Sequence, residues 1–240
     1  MEILAIIPAR GGSKSIPRKN IKNLGTKPMI AWSIEAALKS NIDRVIVTTD
    51  DKEIAEVAKK YGAKTPFIRP SELAQDTTPT EPVLKHTLEW LKENENYTPD
   101  AVVLLQPTSP LRQAEHINEA IKIFKQKNPD CLISVHEAIA NNNPHWILKR
   151  DENNKIILAT GEPLSEIKNR RQDLPAHYIR NDIIYVFKPQ NLFMEKPGLY
   201  GKGDKVELYV INDPSNYEAD INTLDEWDDA NKKLRKLTQK

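Results

Sequence analysis

Residues 3–14 read ILAIIPARGGSK, an apolar run followed at once by arginine, two glycines, serine and lysine. An apolar run that does not alternate with polar residues is typical of a strand covered on both faces, as in a parallel sheet. The sequence therefore predicts a buried first strand over Ile3–Ala9, whose carboxyl end leads into a glycine-rich cationic loop.

The chain beyond this loop alternates between helical and strand patterns. Strands are predicted over residues 44–49, near Phe67 and Ile68, and over 101–105, 131–135, 183–187 and 206–211. Helices are predicted around residues 30–38, 54–61, 82–92, 117–124 and 224–237. Asp50 with Glu53, and Thr223 with Glu226, resemble capping boxes at two helix starts. This alternation predicts a three-layer, mostly parallel, Rossmann-like α/β sheet.

Helical periodicity stops between residues 138 and 180, where stretches rich in asparagine, proline, glycine and charge replace it. We predict that residues 1–137 and 181–240 form the core and that residues 138–180 are an excursion from it.

Composition excludes several classes of protein. The chain has 35 basic and 34 acidic residues, so no excess charge favours nucleic acid. Its single cysteine, Cys131, excludes an internal disulfide and a cysteine-built zinc site. The first ten residues, MEILAIIPAR, fit neither a signal peptide nor a membrane span. The expectation is a cytoplasmic protein that binds neither nucleic acid nor membrane.

The loop after the first strand is the strongest candidate for an anion site. Residues 10–20 read RGGSKSIPRKN, with four cations beside two glycines. Glycines let backbone amides approach a ligand, and cations offset the charge of a triphosphate. The pattern is neither a Walker loop nor the Gly-x-Gly-x-x-Gly dinucleotide turn. A solvated basic loop is the alternative interpretation.

Polar residues also follow other predicted strands, where ligands bind in parallel α/β sheets. Arg69 either binds phosphate or holds its own loop through a carboxylate. Gln106 begins QPTSPLR, in which two prolines also make a rigid turn. Asp220 and Asn222 project the same way before the terminal helix, so Asp220 is either a magnesium ligand or a helix cap.

Four motifs in order make the chain resemble the CMP-sialic acid synthetases (acylneuraminate cytidylyltransferases), including the CMP-legionaminic acid synthetases. They are IPARGGSK with PRKN ending at Asn20, RPSELAQD at 69–76, LQPTSPLR at 105–112, and RQDLP at 171–175 with NDIIY at 181–185. The resemblance implies a nucleotidyltransferase that uses CTP, an acidic keto sugar and Mg²⁺. It also implies a homodimer made through residues 138–180, whose partner subunit helps to form the sugar pocket.

The resemblance assigns roles to individual residues. Lys19, Lys14 and Arg10 would be catalytic, through positioning and charge neutralisation. CTP would be bound by Arg10, Gly11, Gly12, Ser13, Lys14, Lys19, Asn20, Arg69, Thr80 and Gln106. The sugar would be faced by Gln106, Arg171, Gln172, Tyr178 and Asn181, and Mg²⁺ would be held by Asp220 and Asn222.

Two positions depart from the family pattern. The usual Asp-Ile-Asp is Asp220-Ile-Asn222 here, which removes one charged ligand and predicts weaker or differently held magnesium. The usual Asn-Gly-Ala-Ile-Tyr is Asn181-Asp-Ile-Ile-Tyr, which adds a carboxylate and bulk near the sugar. Two alternatives stay open: a cytidylyltransferase for another keto sugar, 3-deoxy-octulosonate or pseudaminate, and a nucleotide-binding module that has lost catalysis.

Overall fold

A computed structural model describes residues 1–238. Its strands are β1 (Ile3–Pro8), β2 (Asn23–Leu24), β3 (Lys27–Pro28), β4 (Arg44–Thr48), β5 (Ala101–Leu104), β6 (Cys131–Glu137), β7 (Leu148–Arg150), β8 (Ile156–Leu158), β9 (Tyr178–Phe187) and β10 (Val206–Val210). Its α-helices are α1 (Met29–Leu38), α2 (Lys52–Lys60), α3 (Thr80–Glu95), α4 (Ala114–Lys127), α5 (Pro214–Tyr217) and α6 (Leu224–Thr238). None of these helices combines the length and the apolar character needed to cross a membrane, within the part of the chain described.

The central sheet has six strands in the order β10-β6-β9-β5-β1-β4. β4, β1 and β5 are parallel, as are β6 and β10, whereas β9 is antiparallel to both of its neighbours. The predicted mostly parallel α/β sheet is therefore confirmed. Because β1, β4 and β5 run the same way, the loops that follow them meet at one edge of the sheet.

Alternate residues of β1 face opposite helical layers. Ile3, Ala5 and Ile7 pack in a cluster with α1, α2 and α4, whereas Leu4 and Ile6 pack in a cluster with α3. All five side chains are buried. Cover on both faces explains why this strand contains no alternating polar residues.

The strand predicted near Phe67 and Ile68 is wrong, because no strand of the described residues lies there. A single bridge between Ile46 and Lys64 joins this segment to the sheet. Pro66 follows shortly afterwards and has no N–H to continue a ladder. The segment instead runs past the sheet edge as an irregular loop that ends at the cavity described below.

Two predicted helix caps have different outcomes. The N-cap of α2 is Asp51, one residue later than predicted, and Asp50 instead accepts the Gly11 N–H at 3.0 Å. The box at α6 is confirmed: Glu226 accepts the Thr223 N–H at 2.8 Å, and the Thr223 hydroxyl accepts the Glu226 N–H at 3.3 Å. A reciprocal cap fixes the chain that enters α6.

Residues 138–177 lie outside the central sheet, and β7 and β8 form a small antiparallel hairpin within them. β9 begins at Tyr178, which pairs with Glu137 of β6. The sheet thus already includes the last three residues of the segment predicted as an excursion.

β9 carries a bulge near its start. Its pairing with β6 shifts register between Ile133 and Val135, and in the bulged segment Asp182 has a φ of 55°. This is the left-handed region that glycine adopts most readily. The bulge therefore explains why the family pattern has glycine at this position.

Candidate active site

A cavity of about 410 Å³ opens at the carboxyl edge of β1 and β5, beside the first turn of α3. Its walls come from the loop after β1, the segment from Arg69 to Thr80, the turn after β5, and Asn222 before α6. This is the edge at which parallel sheets bind ligands. The residues predicted to bind CTP that line it are Arg10, Ser13, Lys14, Lys19, Asn20, Arg69, Thr80 and Gln106.

The two predicted glycines lie outside the wall of the cavity. A Cβ on Gly11 would lie 2.7 Å from a carboxylate oxygen of Asp51, whereas a Cβ on Gly12 would meet nothing within 4 Å. Gly11 thus permits close approach of the loop to the start of α2. Gly11 therefore packs the loop against the start of α2, and the predicted CTP contacts of Gly11 and Gly12 stay predictions.

Arg10 and Lys14 face a common carboxylate across the cavity. Arg10 Nη1 lies 2.8 Å from one oxygen of Asp76, and Lys14 pairs with the other oxygen. The hydrogen bond from Lys14 is the main cause that lowers the pKa of Asp76. Because Asp76 also lines the cavity, a bound triphosphate would compete with it for both cations. Sequence reasoning gave Asp76 no role, although its place in the RPSELAQD motif signalled one.

Lys19 joins the cationic loop to the far end of the chain. Its Nζ donates to the Ile221 carbonyl at 2.6 Å, across 202 residues of sequence. Burial lowers the pKa of Lys19, and the nearby charge of Asp220 opposes this shift. The ammonium group is therefore held at the boundary between the predicted phosphate site and the predicted metal ligands.

Arg18, the fourth cation of the loop, turns away from the cavity. It pairs with Asp51 and Glu53 at the start of α2 and has a left-handed φ of 57°. Asn20 donates its side-chain amide to the Arg10 carbonyl at 2.9 Å. Both residues hold the shape of the loop, and Asn20 also lines the cavity.

Arg69 holds its own loop and also lines the cavity, and its role in phosphate binding stays a prediction. Its guanidinium is 3.5 Å from Asp50, and its backbone N–H donates to Thr49, so it holds its own loop. It also lines the cavity, and its buried Nε has no hydrogen-bond partner among the residues described. Burial lowers the pKa of Arg69, and Asp50 opposes that shift. A buried guanidinium with an unused donor is suited to an anionic ligand.

Among the residues predicted to face a sugar, only Gln106 lines the cavity within the described chain. Asn181 is buried in β9, where its Oδ1 accepts a hydrogen bond from Ser134 at 2.6 Å. Tyr178, Arg171 and Gln172 are exposed. A single chain therefore gathers the nucleotide-facing set but leaves part of the sugar-facing set at its surface.

The two predicted metal ligands are neighbours. The Asn222 Nδ2 donates to Asp220 Oδ2 at 2.8 Å; Asn222 lines the main cavity, and Asp220 lines an adjacent acidic pocket. Both residues carry oxygen atoms of the kind that magnesium prefers. Within residues 1–238, no three His, Cys, Asp or Glu side chains are grouped to hold a metal. The donor set fits a cation that takes most of its ligands from phosphates and water.

The fold and the cavity together define the class of protein. Nearly the whole chain superposes on a solved CMP:2-keto-3-deoxy-manno-octonic acid synthetase in complex with CTP, with a TM-score of 0.72 over 99% of this chain and 100% of that chain. The two sequences are only 15% identical, so the match establishes the fold. The protein therefore has the nucleotidyltransferase fold, with a cationic cavity at the carboxyl edge of its sheet.

Sequence comparison defines the family. A family model described as Cytidylyltransferase matches residues 4–239, and the chain belongs to that family. It is 36% identical over 231 residues to a pseudaminic acid cytidylyltransferase of Campylobacter jejuni, covering 96% of this chain and 95% of that protein. It is 34% identical over 240 residues to a CMP-N,N'-diacetyllegionaminic acid synthase of Legionella pneumophila, covering 100% and 98%.

Proposed function

We propose that the protein transfers CMP from CTP to a nonulosonic acid of the sialic or legionaminic type and releases pyrophosphate. The observation that carries this proposal is the convergence of Arg10, Lys14, Lys19 and buried Arg69 on one cavity that is also lined by Gln106. Four cations match a triphosphate, and an amide that both donates and accepts suits a polyhydroxylated sugar. The full-length similarity to a legionaminic acid synthase supports the choice of sugar.

The reaction is an in-line displacement at the α-phosphorus of CTP. The anomeric hydroxyl oxygen of the keto sugar forms the new bond to phosphorus, and the bond from phosphorus to the bridging oxygen of the β-phosphate breaks. Pyrophosphate leaves with that electron pair, and the hydroxyl proton passes to solvent. Arg10, Lys14 and Lys19 hold the phosphates and offset the charge that moves to the leaving group.

Magnesium fits this site through Asp220 and Asn222. These residues would hold the cation together with phosphate oxygens, and the cation would supply further charge neutralisation at the phosphates. Ile221 lies between Asp220 and Asn222 in the chain. The hydrogen bond from Lys19 to the Ile221 carbonyl therefore places both proposed ligands close to Lys19.

A homodimer would complete the sugar side of the site. Several large apolar side chains of residues 138–177 are between 39% and 60% exposed: Ile139, Ile147, Leu148, Leu164 and Ile167. Clustered exposed apolar groups are typical of an interface. In a dimer made through this segment, Arg171 and Gln172 of one chain would reach the cavity of the other.

The test is a coupled assay of pyrophosphate release with CTP and a panel of sialic, legionaminic, pseudaminic and 3-deoxy-octulosonic acids. We expect release with a nonulosonic acid, and none when UTP replaces CTP. Calorimetric binding of CTP without pyrophosphate from any sugar would instead identify a nucleotide-binding module.

Pseudaminic acid is the second candidate substrate. It is favoured by the 36% identity to a pseudaminic acid cytidylyltransferase over nearly the full length of both chains. The ratio of kcat/KM values for the legionaminic and pseudaminic acids in the same assay decides between the two substrates.

A further inference from the structure

Arg112 is a buried cation next to the cavity that the proposed chemistry does not use. It is 2% exposed, and none of the ion pairs among residues 1–238 involves it. Burial alone lowers the pKa of Arg112 to about 9, so the group is still a cation at neutral pH. Burying a charge without a counter-ion is costly, and such a residue is retained only where its hydrogen bonds do something that an apolar residue cannot.

The guanidinium of Arg112 ties together three separate parts of the fold. Its Nε donates to the Ile183 carbonyl at 2.6 Å, its Nη1 to the Ser33 hydroxyl at 3.1 Å, and its Nη2 to the Gln106 carbonyl at 2.8 Å. Ile183 belongs to the bulge of β9, Ser33 to α1, and Gln106 to the wall of the cavity. A planar fork with fixed donor directions can join three acceptors in one arrangement.

Side chains replace the ladder partners that the β9 bulge lacks. A bulge leaves backbone groups without partners across the strand pair. Here Arg112 takes the Ile183 carbonyl, the Ser109 hydroxyl donates to the Asp182 carbonyl at 3.2 Å, and the Ser134 hydroxyl accepts the Ile184 N–H at 2.8 Å. Two of these three side chains come from the QPTSPLR turn. That turn therefore sets the path of β9 just after Asn181.

The strand order shows whether the β9 bulge lies on the nucleotide side or on the sugar side of the cavity. β5, which leads into Gln106, lies between β1 on one side and β9 on the other. The cationic loop and Arg69 follow β1 and β4, so the phosphates belong to the β1 side of Gln106. The residues on the other side are those of the β9 bulge, next to the segment predicted to face the sugar.

We propose that Arg112 is a positioning residue for the sugar. Its hydrogen bonds hold the Gln106 turn and the β9 bulge in a fixed position relative to each other. This inference rests on the proposed function, because it assigns the β9 side of the cavity to the acceptor. The role depends on three simultaneous hydrogen bonds, and a positive charge alone does not fulfil it.

The experiment compares Arg112→Lys and Arg112→Met with the wild type, using the KM for the sugar, kcat, the calorimetric Kd for CTP, and the melting temperature. Because small misplacements of binding groups cost up to about a hundredfold, we expect both variants to raise the KM for the sugar about tenfold or more. The Kd for CTP should change less than the KM for the sugar, since the proposed phosphate contacts lie across β5. Restoration of the wild-type KM by lysine would overturn the three-bond role.

A matched control separates this role from lost stability. Arg44 is a mostly buried arginine at the opposite end of the sheet, where its Nη2 lies 2.6 Å from Glu95. Arg44→Met should lower the melting temperature and leave the KM for the sugar unchanged. If the Arg112 variants have the same KM for the sugar as the Arg44 variant and differ from it only in melting temperature, the inference fails.

A milder variant covers the case in which Arg112→Met does not fold. Ser33→Ala removes one acceptor of the guanidinium and keeps Arg112 in place, and we expect a rise in the KM for the sugar of about threefold. An unchanged KM in folded Ser33→Ala and Arg112→Lys would refute the positioning role. Wild-type protein that releases no pyrophosphate with any sugar of the panel would refute the proposed function itself, and this inference with it.

Discussion

At the scale of single residues, the loop after β1 divides into side chains that face the cavity and side chains that hold the loop. Arg10, Lys14 and Lys19 line the cavity, whereas Arg18 lies outside its wall and pairs with Asp51 and Glu53. Cations of the same loop therefore have different roles. Their substitution should have different consequences.

Lys19→Met should abolish most of the transfer activity. The change keeps the apolar stem and removes the ammonium, and loss of one charge-stabilising donor at a reacting phosphate lowers kcat by about a hundredfold or more. The measurement is pyrophosphate release, with the KM for the sugar determined alongside. Lys22→Met is the control, since Lys22 is an exposed lysine three residues away, over the ring of Trp227. Equal turnover of the two variants would exclude a catalytic role for Lys19.

Gly11→Ala and Gly12→Ala form a second residue-scale comparison. The new methyl at residue 11 would lie 2.7 Å from a carboxylate oxygen of Asp51, whereas that at residue 12 would enter open space. We expect Gly11→Ala to cost about 1–3 kcal/mol of unfolding free energy and Gly12→Ala to stay within about 0.5 kcal/mol of the wild type. Urea unfolding measures both. Similar values for the two would show that the loop does not pack against α2 as described.

The sequence was a good guide to which residues meet and a poorer guide to how each is used. The carboxyl-edge rule for parallel sheets brings Arg10 and Gln106 together without any structure, but it included Arg69 only through a strand near Phe67 that does not form. The same rule gives no sign that Arg18 turns to α2 or that Asp76 faces two cations. Those outcomes depend on side-chain directions in irregular loops, which have no period to read.

At the scale of elements, the start of α2 connects helix stability to the shape of the cavity. Asp51 caps the helix and also pairs with Arg18 of the cationic loop. The hydrogen bond from Arg18 is the main cause that lowers the pKa of Asp51. The Asp51 carboxylate therefore both caps α2 and anchors the cationic loop.

Asp51→Asn should make stability less dependent on acid. A carboxyl whose folded pKa is depressed stabilises the fold above its unfolded pKa of about 3.9, and that contribution is lost as pH falls below this value. At pH 7 we expect a cost of about 0.5–1 kcal/mol, because asparagine keeps the cap and loses only the partly exposed ion pair. The difference from wild type should shrink as the pH falls through the lowered pKa of Asp51. Urea unfolding at several pH values checks this, with exposed Glu56→Gln as the control; a difference that persists in acid would contradict the assignment.

Regular elements were predicted where packing imposes a period, and missed where it does not. β1 and β5 are continuous apolar runs because helices cover both of their faces. The segment around Phe67 has only the apolar pair Phe67 and Ile68, lies beyond the edge strand β4, after Pro66, and forms no ladder. The early start of β9 at Tyr178 was also missed, since a bulge interrupts its alternation.

At the scale of the whole molecule, the proposed dimer makes a prediction that a single chain cannot satisfy. Lys19→Met should inactivate the nucleotide site of its own chain. Arg171→Ala should remove the contribution of residues 138–177 to the sugar site of the partner. A mixture of the two inactive variants, after subunit exchange, should regain about a quarter of the wild-type activity, because about half of the dimers are hybrid and one of the two sites in each hybrid is intact. Each variant alone is the control. No recovery in a mixture shown by light scattering to contain dimers would mean that each chain builds its own sugar site.

The bond from Lys19 to the carbonyl of Ile221 also concerns the order in which the protein is made. It joins residue 19 to residue 221, so the two partners of this bond are synthesised 202 residues apart. A nascent polypeptide on the ribosome has its cationic loop long before this anchor, and the wall formed by Asn222 does not yet exist. We therefore expect the nucleotide to be captured only after Ile221 and Asn222 have left the ribosome, and products of premature termination before residue 221 to leave the cellular CTP pool untouched.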